Sequence, residues 1–148
     1  MKSFVVDAGV VLAAIFQEPL ADQARHVLSG GHDLFAPDLI QGEVANGIVK
    51  KYVRGQLDEL DAHLLLADTR QLALKITPCG DLAELALRLA LSTKRTVYDC
   101  MYLALAGITK TVMVTADPRF VHALAHTPLA KHIAWLGDVS CVRKKKPR

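Results

Sequence analysis

Ser3-Phe4-Val5-Val6-Asp7-Ala8-Gly9 is a short apolar run, rich in valine, that stops at an acid and a glycine. Such a run reads as a buried strand, and the Asp-Ala-Gly step closes it. The same unit recurs along the chain. Helices are predicted from Val10 and over Pro19–Leu28, with Gly30-Gly31 as a stop. Asp33–Ala36 is a second strand, closed by Pro37. Asp38 is expected to cap a helix that runs to about Arg54 and ends at Gly55. Asp58 opens another helix, with Leu60, Leu64 and Leu72 marking its apolar face. Leu74–Pro78 reads as a strand, Asp81–Ser92 as an amphipathic helix with Leu82, Leu85, Ala86 and Leu89 on one side, and Thr96–Ile108 as a helix apolar nearly all round. Thr111–Thr115 is strand-like, Asp117-Pro118 opens a helix, and Ile133–Leu136 is a last short strand. Strands alternating with helices imply βαβ units: an α/β fold with a short, mostly parallel sheet covered on both faces.

The 148 residues suit one domain, expected over 1–141, followed by a basic tail over 142–148. Apolar residues are plentiful and aromatics few, so the core must be aliphatic. Apolar stretches such as Phe4–Phe16 and Tyr98–Ile108 are too short to span a bilayer and contain Asp7 and Asp99. A leader at Met1 is not expected either, because Asp7 would fall inside its apolar part. The expectation is a cytoplasmic protein with no membrane segment. Cys79, Cys100 and Cys141 form neither a disulfide framework nor a zinc pattern, and Cys100 reads as a small core residue. A net charge of +3 permits an anionic partner without requiring one.

In parallel α/β folds ligands bind beyond the carboxyl ends of the strands. Asp7 follows the first strand there, and Asp117 follows Thr111–Thr115. Asp99 lies in the first turn of the buried helix, and Glu43 about one turn into the helix after Pro37. Each has an ordinary structural role open to it. Asp7 can cap a turn, Asp117 a helix, and Asp99 sits three residues after Thr96 in a near capping-box pattern. Glu43 is harder to account for this way. Ile40, Val44, Gly47 and Ile48 cluster about it on an inward face, and no basic residue lies within one turn. Carboxylates that converge repel one another unless their pKa values rise or a cation neutralises them. Their hard oxygens select Mg²⁺ or Mn²⁺, ions that activate water and stabilise charge on a phosphodiester. Lys50, Lys51 and Arg54 on the Glu43 helix, and Lys94 and Arg95 before Asp99, are candidate phosphate contacts, each with a solvated surface as its plainer role.

Four segments together resemble the motifs of PIN domains, in family order and over nearly the whole chain. They are Val5–Ala13 around Asp7, Pro37–Asn46 around Glu43, Val97–Ala106 around Asp99, and Val114-Thr115-Ala116-Asp117 with Phe120. Within that family the chain looks most like the VapC-type toxins of toxin–antitoxin pairs. The resemblance implies a three-layer α/β/α fold and a Mg²⁺- or Mn²⁺-dependent endoribonuclease acting on RNA. It also implies a homodimer and a small antitoxin that blocks the site. Carried over by position, Asp7, Glu43, Asp99 and Asp117 become the catalytic, metal-holding acids. Asp7 and Asp99 are expected to touch metal, Glu43 and Asp117 to bind metal or orient water, and Thr115 to hydrogen-bond within the cluster. Many relatives carry Ser or Thr two residues after the first Asp, where this chain has Gly9. The apolar faces of the helices before Arg54 and after Asp58 are the expected dimer surface.

Other functions fit less well. A phosphatase of the Asp-x-Asp kind would need an acid at Gly9, and a receiver domain a lone acceptor Asp after a middle strand with a later Lys. No Gly-x-Ser-x-Gly turn supports a serine hydrolase, and Gly30-Gly31 follows a helix rather than a strand. The six histidines form no metal set, although His122 and His126 are spaced i, i+4. An inactive PIN module that only binds a partner is the non-enzymatic alternative, and the presence of all four acids argues against it.

Overall fold

The computed structural model describes residues 1–139. The boundary expected at 141/142, the basic tail and Cys141 lie outside them. Five strands, β1 (Ser3–Val6), β2 (Asp33–Pro37), β3 (Leu74–Thr77), β4 (Val112–Thr115) and β5 (Ile133–Trp135), form one sheet in the order β3-β2-β1-β4-β5. Every pairing is parallel, with Val5 opposite Phe35 on one side and Met113 on the other.

Among the described residues, seven α-helices connect them: α1 (Ala8–Ile15), α2 (Ala21–Ser29), α3 (Leu39–Val53), α4 (Glu59–Thr69), α5 (Cys79–Thr93), α6 (Val97–Thr109) and α7 (Pro118–Leu124). Strand order runs one way from β1 to β3 and the other way from β4 to β5. Right-handed crossovers therefore put α1–α4 on one face and α5–α7 on the other. The packing agrees: α1 meets α2 and α3, α3 meets α4, and α5 lies along α6. The result is the three-layer α/β/α fold.

The core is aliphatic, as the composition requires. Val5 and Val6 from β1, Val10 and Val11 from α1, Ile40, Val44 and Ile48 from α3, and Leu82 and Ala86 from α5 are buried. So is the whole stretch Cys100–Ala106 of α6, which lies across β1, β2 and β4.

Three expectations need correction. Asp38 does not cap α3: its own backbone is already helical, and its carboxylate accepts the amide of Cys79 at 2.9 Å. It thereby caps α5 from a neighbouring element, and α5 starts two residues earlier than the Asp81 reading. On α4 the inward side chains are Ala62, Leu65 and Leu66, while Leu60 and Leu64 are exposed and Leu72 lies past the helix end. Packing on α3, not leucine spacing, sets that face. His126 falls beyond the end of α7, so it and His122 do not share a helix face.

Leu82 is fully enclosed where α5 meets the core. Leu82→Ala should cost about 2–5 kcal/mol, read as a lower midpoint in urea unfolding with an unchanged slope.

Candidate active site

The order β3-β2-β1-β4-β5 makes the β1/β4 junction the switch point of the sheet, where chains leave in opposite directions and a crevice opens. Asp7 follows β1 immediately, and its amide bonds to the carbonyl of Val114 at 3.3 Å. Thr115 ends β4, and Asp117 caps α7 two residues on. The helices α3 and α6 both start at this same edge, because α3 leaves β2 and α6 runs back toward β4. The first turn of α6 delivers Asp99, and α3 delivers Glu43 one turn in.

Thr115 ties the first and last acids together. It is the one fully buried polar side chain among the described residues. Its hydroxyl donates to Asp7 Oδ2 at 2.5 Å and accepts the Asp117 amide at 3.1 Å. Asp7 also keeps its structural role, since Oδ1 accepts the Val10 amide at 3.0 Å and caps α1. Burial pushes the Asp7 carboxyl up to about 6, against the hydrogen bonds from Thr115, Val10 and Ala116, and the charge of Glu43 adds to the rise. Asp7 and Glu43 thus share one electrostatic field.

Glu43 is half-buried, and Oε1 accepts the hydroxyl of Tyr102 from α6 at 2.5 Å. The Tyr102 hydroxyl is pushed upward by burial and then by Glu43, so it remains a donor. The Asp99 amide donates to Thr96 Oγ1 at 3.1 Å, but the Asp99 carboxylate does not complete a capping box. It turns instead to Arg95, whose Nη2 lies 3.1 Å from Asp99 Oδ2 and 3.4 Å from Asp117 Oδ2. Asp117 also accepts both the amide and the side chain of Arg119. Burial opposes its ionisation, yet the Arg119 bonds and the charges of Arg119 and Arg95 hold the carboxyl below its ordinary range.

All four predicted acids therefore lie at one edge of the sheet: Thr115 links Asp7 to Asp117, Arg95 links Asp117 to Asp99, and Tyr102 holds Glu43. The sequence motifs alone do not single out Tyr102 or the bridging role of Arg95. Two signals were available: a hydroxyl on an otherwise buried apolar helix must find a partner, and Arg95 is four residues before Asp99. Gly9 lies against the site. A Cβ there would stand 3.0 Å from Ala116 Cβ and 3.2 Å from Asp7 Oδ1, so a larger side chain would have to displace its neighbours.

The donor set, four carboxylates and a hydroxyl, suits a hard divalent cation, and a cation would offset the cost of ionising buried Asp7. Among the described residues, no three His, Cys, Asp or Glu side chains are grouped closely enough to enclose an ion as they stand. Arg95 keeps Asp99 and Asp117 engaged.

Fold and site together define the class: the chain belongs to the PIN-domain family, whose model matches residues 4–124. It is 35% identical to Ribonuclease VapC3 of Pyrobaculum aerophilum over 115 residues, 76% of this chain and 88% of that protein. The crystal structure of PAE2754 from Pyrobaculum aerophilum has the same fold, with a TM-score of 0.64, 22% identity and 92% of each chain covered. So does VapBC2 from Rickettsia felis bound to a DNA fragment from their promoter, with a TM-score of 0.61, 12% identity, and 90% of this chain and 98% of that chain covered.

The raised Asp7 carboxyl has a definite pH signature. A folded pKa of about 6 against 3.8 means that the folded state holds the proton more tightly. Stability from this group is fully present at low pH and is lost as pH rises from about 4 through about 6, by about 3 kcal/mol at most. Urea unfolding in EDTA should show that decline between pH 4 and pH 7, and Asp7→Asn should remove it.

Proposed function

We propose that the protein is the ribonuclease toxin of a toxin–antitoxin pair, a Mg²⁺- or Mn²⁺-dependent endoribonuclease that works in the cytoplasm. What supports this reading is a linked set of side chains in a PIN-domain chain: the Thr115 hydroxyl bonds to Asp7 and to the Asp117 amide, Arg95 bridges Asp117 to Asp99, and Tyr102 holds Glu43. The ribonuclease name of the 35%-identical relative supports the activity. The fold shared with a toxin–antitoxin complex from Klebsiella pneumoniae, at a TM-score of 0.56 and 18% identity, supports an antitoxin partner.

Asp7, Glu43, Asp99 and Asp117 would hold the cation. When bound, it would supply charge neutralisation at the scissile phosphate and acidify an attacking water. The chain's own groups prepare the place. Thr115 fixes the rotamer of Asp7 through Oδ2, and Tyr102 fixes Glu43 through Oε1. Immobilised carboxylates lose little freedom when they take up a ligand.

Substrate approach has its own surface. A cleft of about 350 Å³ between α1 and α3 runs from Glu43 past Gly47 to Lys50 and Arg54. Spacings of four and seven residues keep Gly47 and Lys50 on the Glu43 stripe of α3, and Arg54 follows at its C-cap. Lys51 is engaged, 3.8 Å from Glu18 and stacked over Phe16, whereas Lys50 and Arg54 are exposed. These two are proposed to hold phosphates of the RNA strand leading into the acids. Val53, Leu60 and Leu64, left bare on α3 and α4, are the proposed homodimer surface.

Purified protein given total RNA should yield discrete fragments with Mg²⁺ or Mn²⁺ and none with EDTA. Asp99→Asn should lower cleavage at least about 100-fold with an unchanged circular-dichroism spectrum. Cleavage that persists in EDTA would contradict metal dependence. Absence of cleavage and of metal binding would favour the partner-binding module. Lys50→Glu with Arg54→Glu should weaken RNA binding at least about tenfold and flatten its salt dependence, measured by fluorescence anisotropy at several ionic strengths.

A further inference from the structure

Arg95 sits among the acids without fully belonging there. Its guanidinium lies over the Phe120 ring, with Cζ 4.5 Å from the centroid, and its side chain is 24% exposed. Both of its ion pairs come from the single nitrogen Nη2, reaching Asp99 Oδ2 and Asp117 Oδ2. Its Nε is buried and has no hydrogen-bond partner. A permanent structural arginine between carboxylates normally engages them as a fork, through two nitrogens. Here one nitrogen serves two acids while a second donor goes unsatisfied, a costly arrangement for a buried group. The flat apolar platform of Phe120 holds the guanidinium by its face and leaves its in-plane position free.

We propose that Arg95 is a built-in counter-ion, seated between Asp99 and Asp117 until a divalent cation takes its place. The inference rests on the metal-site reading above and adds a competition within this chain. Arg95 neutralises two of the four acids in the absence of metal, which limits their repulsion and preserves the site. The same contacts withhold Asp99 Oδ2 and Asp117 Oδ2 from an incoming ion. Cation binding then requires the guanidinium to slide or swing off these oxygens, with Phe120 as the surface along which it moves. Arg95 is thus a positioning residue that sets metal affinity.

Mn²⁺ alone, titrated calorimetrically into the full-length protein, is the probe. Arg95→Met keeps apolar contact with Phe120 and removes the charge. It should bind Mn²⁺ at least tenfold more tightly than the wild type. Mn²⁺ should also raise its melting temperature by more than it raises that of the wild type. Arg119→Met is the control for charge alone, since Arg119 contacts the other Asp117 oxygen from an 88% exposed position. It should change the affinity less than threefold. Arg95→Lys, which retains charge without the planar stack, should fall between wild type and Arg95→Met. Equal or weaker Mn²⁺ binding by a folded Arg95→Met would overturn the competition and make Arg95 an organiser of the acids. The same holds if Arg119→Met tightens binding as much. Absence of Mn²⁺ binding to wild type and variants alike would overturn this inference together with the metal-site reading.

Discussion

The placement of a carboxylate at the buried end of the central strand is the constraint around which this molecule is organised. Asp7 is half-buried, and desolvation pushes its carboxyl up to about 6. An ionised acid there needs donors, and the structure supplies them from three directions: Thr115 from β4, Val10 from α1 and Ala116 beyond β4. The bond from Thr115 crosses the junction where the sheet changes direction, so the same contact that satisfies Asp7 also fastens β1 to β4 at their carboxyl ends. Structure and site are not separable at this point.

The other three acids answer the same electrostatic problem differently. Glu43 accepts a tyrosine hydroxyl, a neutral donor, rather than pairing with a cationic side chain. Asp99 and Asp117 are compensated by Arg95, and Asp117 by Arg119 as well. The site is therefore asymmetric. The charge of Glu43 acts on Asp7, while Asp99 and Asp117 are paired with Arg95. A divalent ion would relieve the first pair and compete for the second.

Much of this was legible in sequence because the determinants are local. The valine run before Asp7, the Pro37-Asp38 step before Glu43 and the Asp117-Pro118 helix start each place an acid at a strand's end or in the first turns of a helix, and the four motifs occur in order. What escaped was set by contacts across the fold. Asp38 looked like the cap of its own helix and serves α5, because β2 and β3 bring Thr77 and Cys79 beside it. The leucines of α4 suggested a face that packing on α3 does not use. Tyr102 and Arg95 were visible as residue types, yet their partners lie 59 and 22 positions away for the Glu43 and Asp117 contacts, beyond any helical period.

Diffraction from crystals soaked in Mn²⁺, collected at an energy where manganese scatters anomalously, tests the central claim most directly. A manganese peak among the carboxylates of Asp7, Glu43, Asp99 and Asp117 is the predicted result. A map with no peak there at saturating Mn²⁺, or with its principal peak on other residues, would contradict the assignment of these acids as a cation site.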